Sequence, residues 1–330
     1  MRRGKYGKSD METRKIFVAG STGFLGSNIM RYFLQAGHEI YALIRNNSNN
    51  WRIDDVIDQV NVIRIDSLTS MQFCNTMEQI NPDIVVNAMG ADQKATVNNT
   101  SLNWNSNFLS LVDLANSMRV LKNSVLIHAG SSFEYGNATK ICNPISEDTM
   151  CEPISEYALS KVFATEYLRH FSLKYPLKIF VFRIFNLYGP YESKDRLIPE
   201  ICIKSIRGDT ITLKNPLVSR DFIHVGDVAE AFQTAILESD IHPNLNLFNL
   251  GTGVATSVAD VASYVNSMNG NRSGIVTSTG DQRPENMIPG PIADMNRTEN
   301  LLKWKTKYDM KRGLYDVNQW CKDHMPLYEV

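Results

Sequence analysis

The 330-residue chain lacks the features that mark several classes of protein. Its formal net charge is −1, so it has no excess of lysine and arginine of the kind that nucleic-acid-binding proteins carry. No apolar run is long enough to cross a bilayer. Hydrophobic residues make up 43% of the chain, a larger share than is typical of disordered proteins. We therefore expect a folded protein that binds neither nucleic acid nor membrane.

Cysteine is also scarce, and its pattern argues against two kinds of site. The five cysteines are scattered and no two form a CxxC pair, so neither a disulfide framework nor a metal site is predicted. Free thiols favour a reducing, cytoplasmic location. Residues 1–14 are basic and polar with no apolar core, so we expect a flexible tail instead of a secretory signal, with Met11 as an alternative start.

Short apolar runs alternate with segments of helical periodicity through the first half of the chain. Such runs are typical of buried parallel strands. The alternation predicts an α/β fold, a Rossmann-type doubly wound parallel sheet with helices on both faces. The predicted strands are 15–20, 39–44, 60–65, 83–88, 123–129 and 178–184, and the predicted helices are 24–36, 70–80, 102–121 and 155–175.

After Asn186 the alternation gives way to shorter elements interrupted by proline. We predict a sheet domain over residues 15–186, to which 221–250 partly return. A smaller C-terminal lobe is then predicted from 187–220 and 251–330.

A glycine-rich loop follows the first strand and opens the first helix. Its spacing is GxxGxxG, and the context is the one that a dinucleotide-binding fingerprint requires. Glycines permit the tight turn and the close approach of a pyrophosphate to the helix N-terminus. The alternative is a tight turn with no ligand. The predicted contacts to the cofactor in this loop are Gly20, Thr22, Gly23, Phe24, Leu25 and Gly26.

The residue after the second strand indicates which dinucleotide binds. NAD sites usually place an acidic residue there to bind the ribose 2′-hydroxyl, whereas this chain has Arg45. A guanidinium suits a 2′-phosphate, so NADP(H) is favoured and NAD(H) remains possible; the alternative is a solvated surface arginine. Asp66 is placed to bind the adenine amino group or to cap the helix that begins near Ser70.

Tyr157 and Lys161 are four residues apart in a predicted helix, so their side chains share one face. A lysine cation beside a phenol lowers the phenol's pKa, which makes the pair a device for proton transfer. Ser131 and Ser132 follow the fifth strand, where a hydroxyl could bind the same substrate oxygen. The alternative for both serines is a turn or a helix cap.

The sequence resembles the extended short-chain dehydrogenase/reductases, specifically their nucleotide-sugar epimerase/dehydratase group. The resemblance runs from about Ile16 to Trp304. Its motifs are the GSTGFLG loop, the Ser–Tyr–Lys set, RIFNLYGP from Arg183, RDFIHV from Arg220 and FNLGTG from Phe248.

The resemblance implies roles for individual residues. It makes Ser131 the catalytic hydroxyl together with Tyr157 and Lys161, and gives Lys161 a second role in holding the cofactor's ribose. It implies a nucleotide-diphosphate sugar as substrate and a homodimer as the assembly. The remaining implied contact to the cofactor is Asn107. The implied contacts to the substrate are Ser132, Asn186, Arg220 and Arg283. For Arg283 the alternative is a surface arginine with no ligand.

The resemblance also narrows the reaction. The 4,6-dehydratases of the group have Thr-Asp-Glu where this chain has Ser131, Ser132 and Phe133, and the UDP-glucuronate decarboxylases have Glu at the Phe133 position. Two sugar reactions remain, reduction of a nucleotide-linked 4-keto-6-deoxyhexose in deoxysugar biosynthesis and 4-epimerisation with tightly bound NAD. Arg45 favours reduction. A non-enzymatic dinucleotide sensor and a reductase of a non-sugar ketone are further alternatives.

Overall fold

The computed structural model describes residues 12–65, 69–91, 99–278 and 290–328. Twelve strands lie in these ranges, and we number them in chain order. They are β1 Lys15–Ala19, β2 Glu39–Arg45, β3 Asn61–Ile65, β4 Ile84–Asn87, β5 Val125–Ser131, β6 Lys178–Ile184, β7 Asn186–Tyr188, β8 Ile211–Leu213, β9 Ser219–His224, β10 Leu245–Leu250, β11 Ala255–Ser257 and β12 Ile275–Thr277.

The described helices comprise nine α-helical elements and several shorter turns. The α-helices are α1 Phe24–Gln35, α2 Ser70–Ile80, α3 Thr100–Asn103, α4 Ser110–Ser117, α5 Glu156–Lys174, α6 Leu197–Arg207, α7 Val225–Leu237, α8 Val258–Met268 and α9 Met310–Asp323. A π-helical segment, Trp104–Leu109, joins α3 to α4, and a 3₁₀ turn, Ser132–Tyr135, follows β5 directly.

The main sheet has seven strands in the order β10-β6-β5-β4-β1-β2-β3. The pairs β1–β2, β1–β4, β2–β3 and β4–β5 are all parallel. Ile16, Phe17 and Val18 of the central strand β1 are completely buried, as expected for a strand covered by helices on both faces. Full burial of each such side chain stabilises the fold by about 1.5–3 kcal/mol.

The chain divides into two compact units. The first takes its described residues from Met1–Ala129, Phe163–Val181 and Phe232–Asn246, and the second from Gly130–Val162, Phe182–Ala231 and Leu247–Val330. This grouping differs from the predicted division after residue 186, because β5, β6 and β10 each pass from one unit to the other part-way along their length.

The second unit has two small sheets and a helical core of its own. The sheets have the orders β11-β9-β7 and β12-β8. Apolar residues of α6, α8 and α9 pack together beside β8, among them Ile201, Val261, Val265, Leu314 and Val317. This core holds β9 and its neighbours, which carry several of the predicted substrate contacts.

The predicted doubly wound Rossmann-type sheet is confirmed, and each of the six predicted strands is present. The predicted helix 102–121 is interrupted by the π-helical segment, a change of hydrogen-bond pattern that apolar periodicity does not reveal. None of the helices in the described ranges combines the length and apolarity that a bilayer crossing requires. The predicted tail lies largely outside the described residues.

Candidate active site

The loop between β1 and α1 is shaped so that only glycine fits at two positions. Gly20 has φ +89°, and a Cβ there would lie 2.5 Å from the carbonyl oxygen of Ala88. A Cβ on Gly26 would lie 2.1 Å from the carbonyl oxygen of Gly20. The missing side chains let the first turn of α1 pack against the loop, as the fingerprint predicts.

The amino end of α1 offers hydrogen-bond donors to an anion. Gly23 is the N-cap and has no side chain that could cap the first N–H groups of the helix. Its own N–H donates to the carbonyl of Gly20 at 3.0 Å, and the buried Ser21 hydroxyl donates to the carbonyl of Leu43 at 2.6 Å. The loop is therefore held in place by its own bonds, and the residues present fit a dinucleotide pyrophosphate.

Arg45 is the last residue of β2 and its side chain is exposed. It follows Leu43 by two residues, and Leu43 is both the partner of Ala19 in β1 and the acceptor for Ser21. The guanidinium therefore extends from the carboxyl end of the strand next to the glycine loop. The placement is compatible with a 2′-phosphate contact and equally with a solvated arginine.

Two further predicted cofactor contacts have different outcomes. Asn107 is buried in the π-helical segment, where its Oδ1 accepts a hydrogen bond from the Ala91 N–H at 3.1 Å. That bond ties the segment to the chain that follows β4. Asp66 lies outside the described residues, and the side chain that caps α2 is Thr69.

Tyr157 and Lys161 lie one turn apart in the first part of α5, as predicted. Tyr157 is half-buried and meets the ring of Phe133 edge-on, with centroids 6.2 Å apart. Lys161 is only 4% exposed. Burial lowers the pKa of Lys161 from 10.5 to about 8, although the nearby Glu134 carboxylate acts to raise it. A buried lysine that titrates near neutrality is typical of a site for proton transfer.

Ser131 is the last residue of β5 and is buried. Its Oγ accepts the Phe133 N–H at 3.2 Å, and its N–H donates to Glu134 Oε1 at 2.9 Å. Ser131 and Glu134 thus form a reciprocal capping box around the Ser132–Tyr135 turn. Ser131 therefore caps this turn, which was the alternative to a ligand contact in the sequence analysis. Its hydroxyl proton is still left to donate to a ligand.

Glu134 also forms a buried ion pair. Its Oε2 accepts Arg183 Nε at 3.0 Å, and the two side chains are 0% and 4% exposed. Burial acts to lower the pKa of Arg183, but Glu134, Tyr135 and Cys151 together outweigh it and the pKa lies above its usual value. The guanidinium also stacks on the ring of Tyr135, 4.6 Å from its centroid. These contacts join β6 to the turn that carries Ser131.

The RDFIHV and FNLGTG motifs meet at Asp221. Its buried carboxylate accepts the N–H groups of Thr252, Gly253 and Ala293 at 2.7, 2.9 and 3.0 Å. A Cβ on Gly251 would lie 2.6 Å from Asp221 Oδ2. Both motifs therefore have a structural purpose in addition to any contact with a ligand.

The predicted substrate contacts are spread over the second unit. Arg220 precedes Asp221 in β9, is half-buried and lies against Gly290, where a Cβ would approach its Nη1 to 2.8 Å. The Asn186 amide donates to the Asp221 carbonyl at 3.2 Å. Ser132 is 2% exposed in the turn after β5. Arg283 lies outside the described residues.

Comparison with protein families agrees with these motifs. A model described as the NAD-dependent epimerase/dehydratase family matches residues 16–251. The chain belongs to this family. The match includes the glycine loop, the Ser–Tyr–Lys set and Arg220, so the resemblance drawn from the sequence is confirmed.

Relatives of the chain in this family carry out more than one reaction. A Methanocaldococcus jannaschii protein, named provisionally as a UDP-glucose 4-epimerase, is 27% identical over 322 residues and is matched over 94% of this chain and 99% of its own. The dTDP-4-dehydro-6-deoxy-D-allose reductase of Streptomyces bikiniensis is 24% identical over 324 residues, which cover 94% of this chain and 97% of the relative.

A solved structure has the same fold as this chain. It is that of UDP-glucose 4-epimerase from Thermotoga maritima with UDP-glucose, with a TM-score of 0.84 at 20% identity. The alignment covers 94% of this chain and 99% of that one. The likeness shows that the shared fold covers nearly the whole chain.

The sequence analysis missed two residues that organise the site, Glu134 and Arg183. Arg183 begins the RIFNLYGP motif and Glu134 follows Ser131 by three residues, but neither was given a role. The S-x-x-E spacing from Ser131 to Glu134 is a capping-box pattern and could have identified the carboxylate as a partner of the serine. No local pattern points to Arg183, because it lies 49 residues further along the chain.

Proposed function

We propose that the protein reduces the 4-keto group of a nucleotide-linked 4-keto-6-deoxyhexose. The observation that carries the proposal is the residue pair that follows Ser131. Ser132 and Phe133 occupy the positions at which the resemblance gives a dehydratase its Asp and Glu, and the Phe133 ring meets Tyr157 edge-on. A hydroxyl and a phenyl ring cannot serve as the acid and base of an elimination, so the chemistry stops at hydride and proton transfer.

The geometry of the second unit supports the proton-transfer roles in this proposal. When bound, the reduced cofactor would supply the hydride for C4 of the sugar ketone. Tyr157 gives its phenolic proton to the substrate oxygen, and the resulting phenolate regains a proton from solvent. Ser131 donates a hydrogen bond to the same oxygen, since its Oγ already accepts the Phe133 N–H and its hydroxyl hydrogen can point to the substrate. The Lys161 cation stabilises the phenolate.

The cofactor in this proposal is NADP(H). The family is described as NAD-dependent, and the glycine loop would hold the pyrophosphate of either dinucleotide. Arg45 is the residue that would distinguish them, because a guanidinium pairs with a 2′-phosphate. Asn107 and Lys161 would complete the contacts to the cofactor.

The substrate in this proposal is a nucleotide diphosphate sugar. Arg220 supports it, because a half-buried guanidinium in the substrate-binding half of the chain suits a diphosphate. Ser132, Asn186 and Arg283 are the further proposed contacts. The name of the Streptomyces bikiniensis relative denotes reduction of a dTDP-linked 4-dehydro-6-deoxy sugar, which is the class of reaction proposed here.

The second candidate function is 4-epimerisation, which the name of the Methanocaldococcus jannaschii relative favours. An epimerase oxidises and re-reduces the same carbon, so it keeps its NAD and consumes none. A reductase consumes one NADPH for each product. Net consumption of the cofactor is therefore the property that separates the two functions.

The deciding experiment measures nicotinamide absorbance across a panel of nucleotide 4-keto-6-deoxysugars, with NADPH and NADH compared. We expect stoichiometric oxidation of NADPH with at least one member, and none with the Tyr157→Phe variant. Purified protein that carries tightly bound NAD and interconverts UDP-glucose and UDP-galactose without net oxidation would contradict the reductase and support the epimerase.

We also propose a homodimer formed through α4, α5 and the Trp104–Leu109 segment. Leu111 and Leu168 are completely buried, whereas Leu109 and Phe163 are each 47% exposed. Trp104 packs edge-on against Phe163 with centroids 5.2 Å apart, which makes an exposed aromatic face for a second copy. Replacing Leu109 and Phe163 together by glutamate should convert the dimer to a monomer in light scattering.

The proposed location of the protein is the cytoplasm, which agrees with its five free cysteines.

A further inference from the structure

Glu134 contacts Ser131, one of the three proposed catalytic residues, but has no proposed catalytic role of its own. It is completely buried in the Ser132–Tyr135 turn, which follows β5 directly. One carboxylate oxygen accepts the Ser131 N–H, and the other accepts Arg183 Nε. A buried carboxylate that bridges a catalytic backbone N–H and a cation is costly to desolvate unless both bonds persist, so its position is strongly determined.

The first consequence concerns the direction of the Ser131 hydroxyl. The Glu134 bond fixes the backbone at Ser131, and the Phe133 N–H fixes Oγ within the same turn. Both bonds close one capping box, so loss of the carboxylate releases the backbone on which the hydroxyl is mounted. A hydroxyl that must meet a developing oxyanion loses rate steeply when its position changes.

The second consequence concerns Lys161. Its ammonium is buried, and the turn that carries Glu134 lies against the same helix. Phe133 of that turn meets Tyr157 edge-on, one helical turn before Lys161. The Glu134 carboxylate favours the protonated form of the ammonium. Desolvation opposes that form, and the balance of the two leaves the pKa at about 8. Without the carboxylate, the ammonium would lose its proton at lower pH, because the opposing effect of desolvation would remain.

Several ionisable side chains lie around Glu134 and its ion pair. They come from the turn, β6, α5 and the loop before α5, and they include Tyr135, Arg183, Lys161, Glu147 and Cys151. Glu147 lies beyond Arg183, whose Nη1 donates to its carbonyl, and its own carboxylate accepts the Asn249 N–H at 2.8 Å. Glu147 is thus a second buried carboxylate in the same region, bonded to β10 and not to the Ser131 turn.

We propose that Glu134 is a positioning residue that aligns the Ser131 hydroxyl and supplies the fixed negative charge that faces the buried Lys161 ammonium. The alignment role rests on the proposed function, because it is defined by the reaction at Ser131. The charge role does not, because it is a property of the cofactor-free protein. Hydride transfer in either the reductase or the epimerase would use the same arrangement.

The charge role is tested by NMR titration of protein labelled with ¹³Cε-lysine, with the Lys161 signal assigned by its loss in Lys161→Met. Wild-type Lys161 should titrate near pH 8. In Glu134→Gln the midpoint should fall to lower pH, because the charge that favours the protonated form is removed and the desolvation that opposes it remains. Glu147→Gln is the matched control and should leave the midpoint in place. An unchanged midpoint in folded Glu134→Gln would overturn the charge role.

The alignment role is tested with Glu134→Asp, which keeps the charge but is too short to bridge Ser131 and Arg183. The Lys161 midpoint should stay near the wild-type value, while kcat falls on the order of tenfold. Wild-type kcat in this variant would overturn the alignment role, and a midpoint as low as that expected for Glu134→Gln would overturn the charge role. The aspartate variant decides both if the glutamine variant does not fold.

The two proposals fail in different ways. If the wild-type protein reduces no keto sugar and catalyses no epimerisation, the proposed function is contradicted, and the Lys161 titration still decides the charge role. If the wild type is active but the Glu134 variants retain both its kcat and its Lys161 midpoint, the inference fails and the function stands.

Discussion

The Tyr135 hydroxyl donates a hydrogen bond of 2.7 Å to Asn249 Oδ1, and both side chains are completely buried. The Asn249 amide nitrogen in turn donates to the Ile145 carbonyl at 2.8 Å. One bond therefore links the Ser132–Tyr135 turn to the FNLGTG motif. Burial raises the pKa of Tyr135 well above its usual value, so the phenol stays a donor throughout the physiological range.

Tyr135→Phe should destabilise the protein, because it leaves a buried amide oxygen without its donor. We expect a loss of about 1–3 kcal/mol in the free energy of unfolding. Urea denaturation measures it, with Tyr315→Phe as the control, since Tyr315 is 62% exposed. Equal stability of the two variants would show that the Tyr135 bond contributes nothing.

Gly26→Ala should abolish cofactor binding. Its Cβ would lie 2.1 Å from the Gly20 carbonyl oxygen, so the loop or the helix must move. Gly274→Ala is the matched control, because no described atom lies within 4 Å of a Cβ there. Binding of NADPH and NADH is measured by the quenching of protein fluorescence. Unaltered affinity in Gly26→Ala would contradict the assignment of the loop as the pyrophosphate cradle.

Arg45→Ala should weaken NADPH much more than NADH. Loss of a charge-assisted contact to the 2′-phosphate is expected to raise the Kd for NADPH roughly 10- to 100-fold. The Kd for NADH should change little, as should both constants in Arg169→Ala, whose side chain is 49% exposed in α5. An equal effect on the two cofactors would mean that Arg45 does not contact the phosphate.

Tyr157→Phe should lose turnover while cofactor still binds, because the ring remains and only the proton donor is removed. We expect kcat to fall by at least about 10²-fold, the usual contribution of a general acid. Tyr167→Phe, on the same helix, should retain activity. Full activity in Tyr157→Phe would exclude this residue as the proton donor.

Lys161→Met should stabilise the cofactor-free protein at neutral pH. The folded-state pKa of Lys161 is about 8 against 10.5 for an unshifted lysine, so the unfolded chain binds the extra proton between these values. Burying the charged form therefore costs stability below pH 8, by up to about 3 kcal/mol, and the cost disappears as the pH rises to 10.5.

The measurement for Lys161 is the difference in unfolding free energy between Lys161→Met and wild type at several pH values. The gain from the substitution should be largest below pH 8 and should shrink steadily above it. A gain that is absent at pH 7, or one that grows with pH, would show that the ammonium is not destabilised by burial. Activity should be lost at every pH.

Sequence reasoning identified the features of the site that depend on local geometry. The glycine loop is recognisable because a tight strand-to-helix turn needs glycine at fixed spacing, whatever packs around it. The Tyr157–Lys161 pair is recognisable because the helical repeat alone puts residues four apart on one face. The alternation of strands and helices predicted the doubly wound sheet, because each element is recognisable from the spacing of its own apolar residues.

Only the tertiary structure decided which groups surround these features. Glu134 meets Arg183 across 49 residues of chain, and Asp221 meets the Ala293 N–H across 72. Such partners depend on how separate elements pack, which periodicity does not encode. The low pKa of Lys161 likewise arises from burial, a property of the folded chain. The sequence by itself determined which residues could perform the chemistry, and the packing determined their charge and orientation.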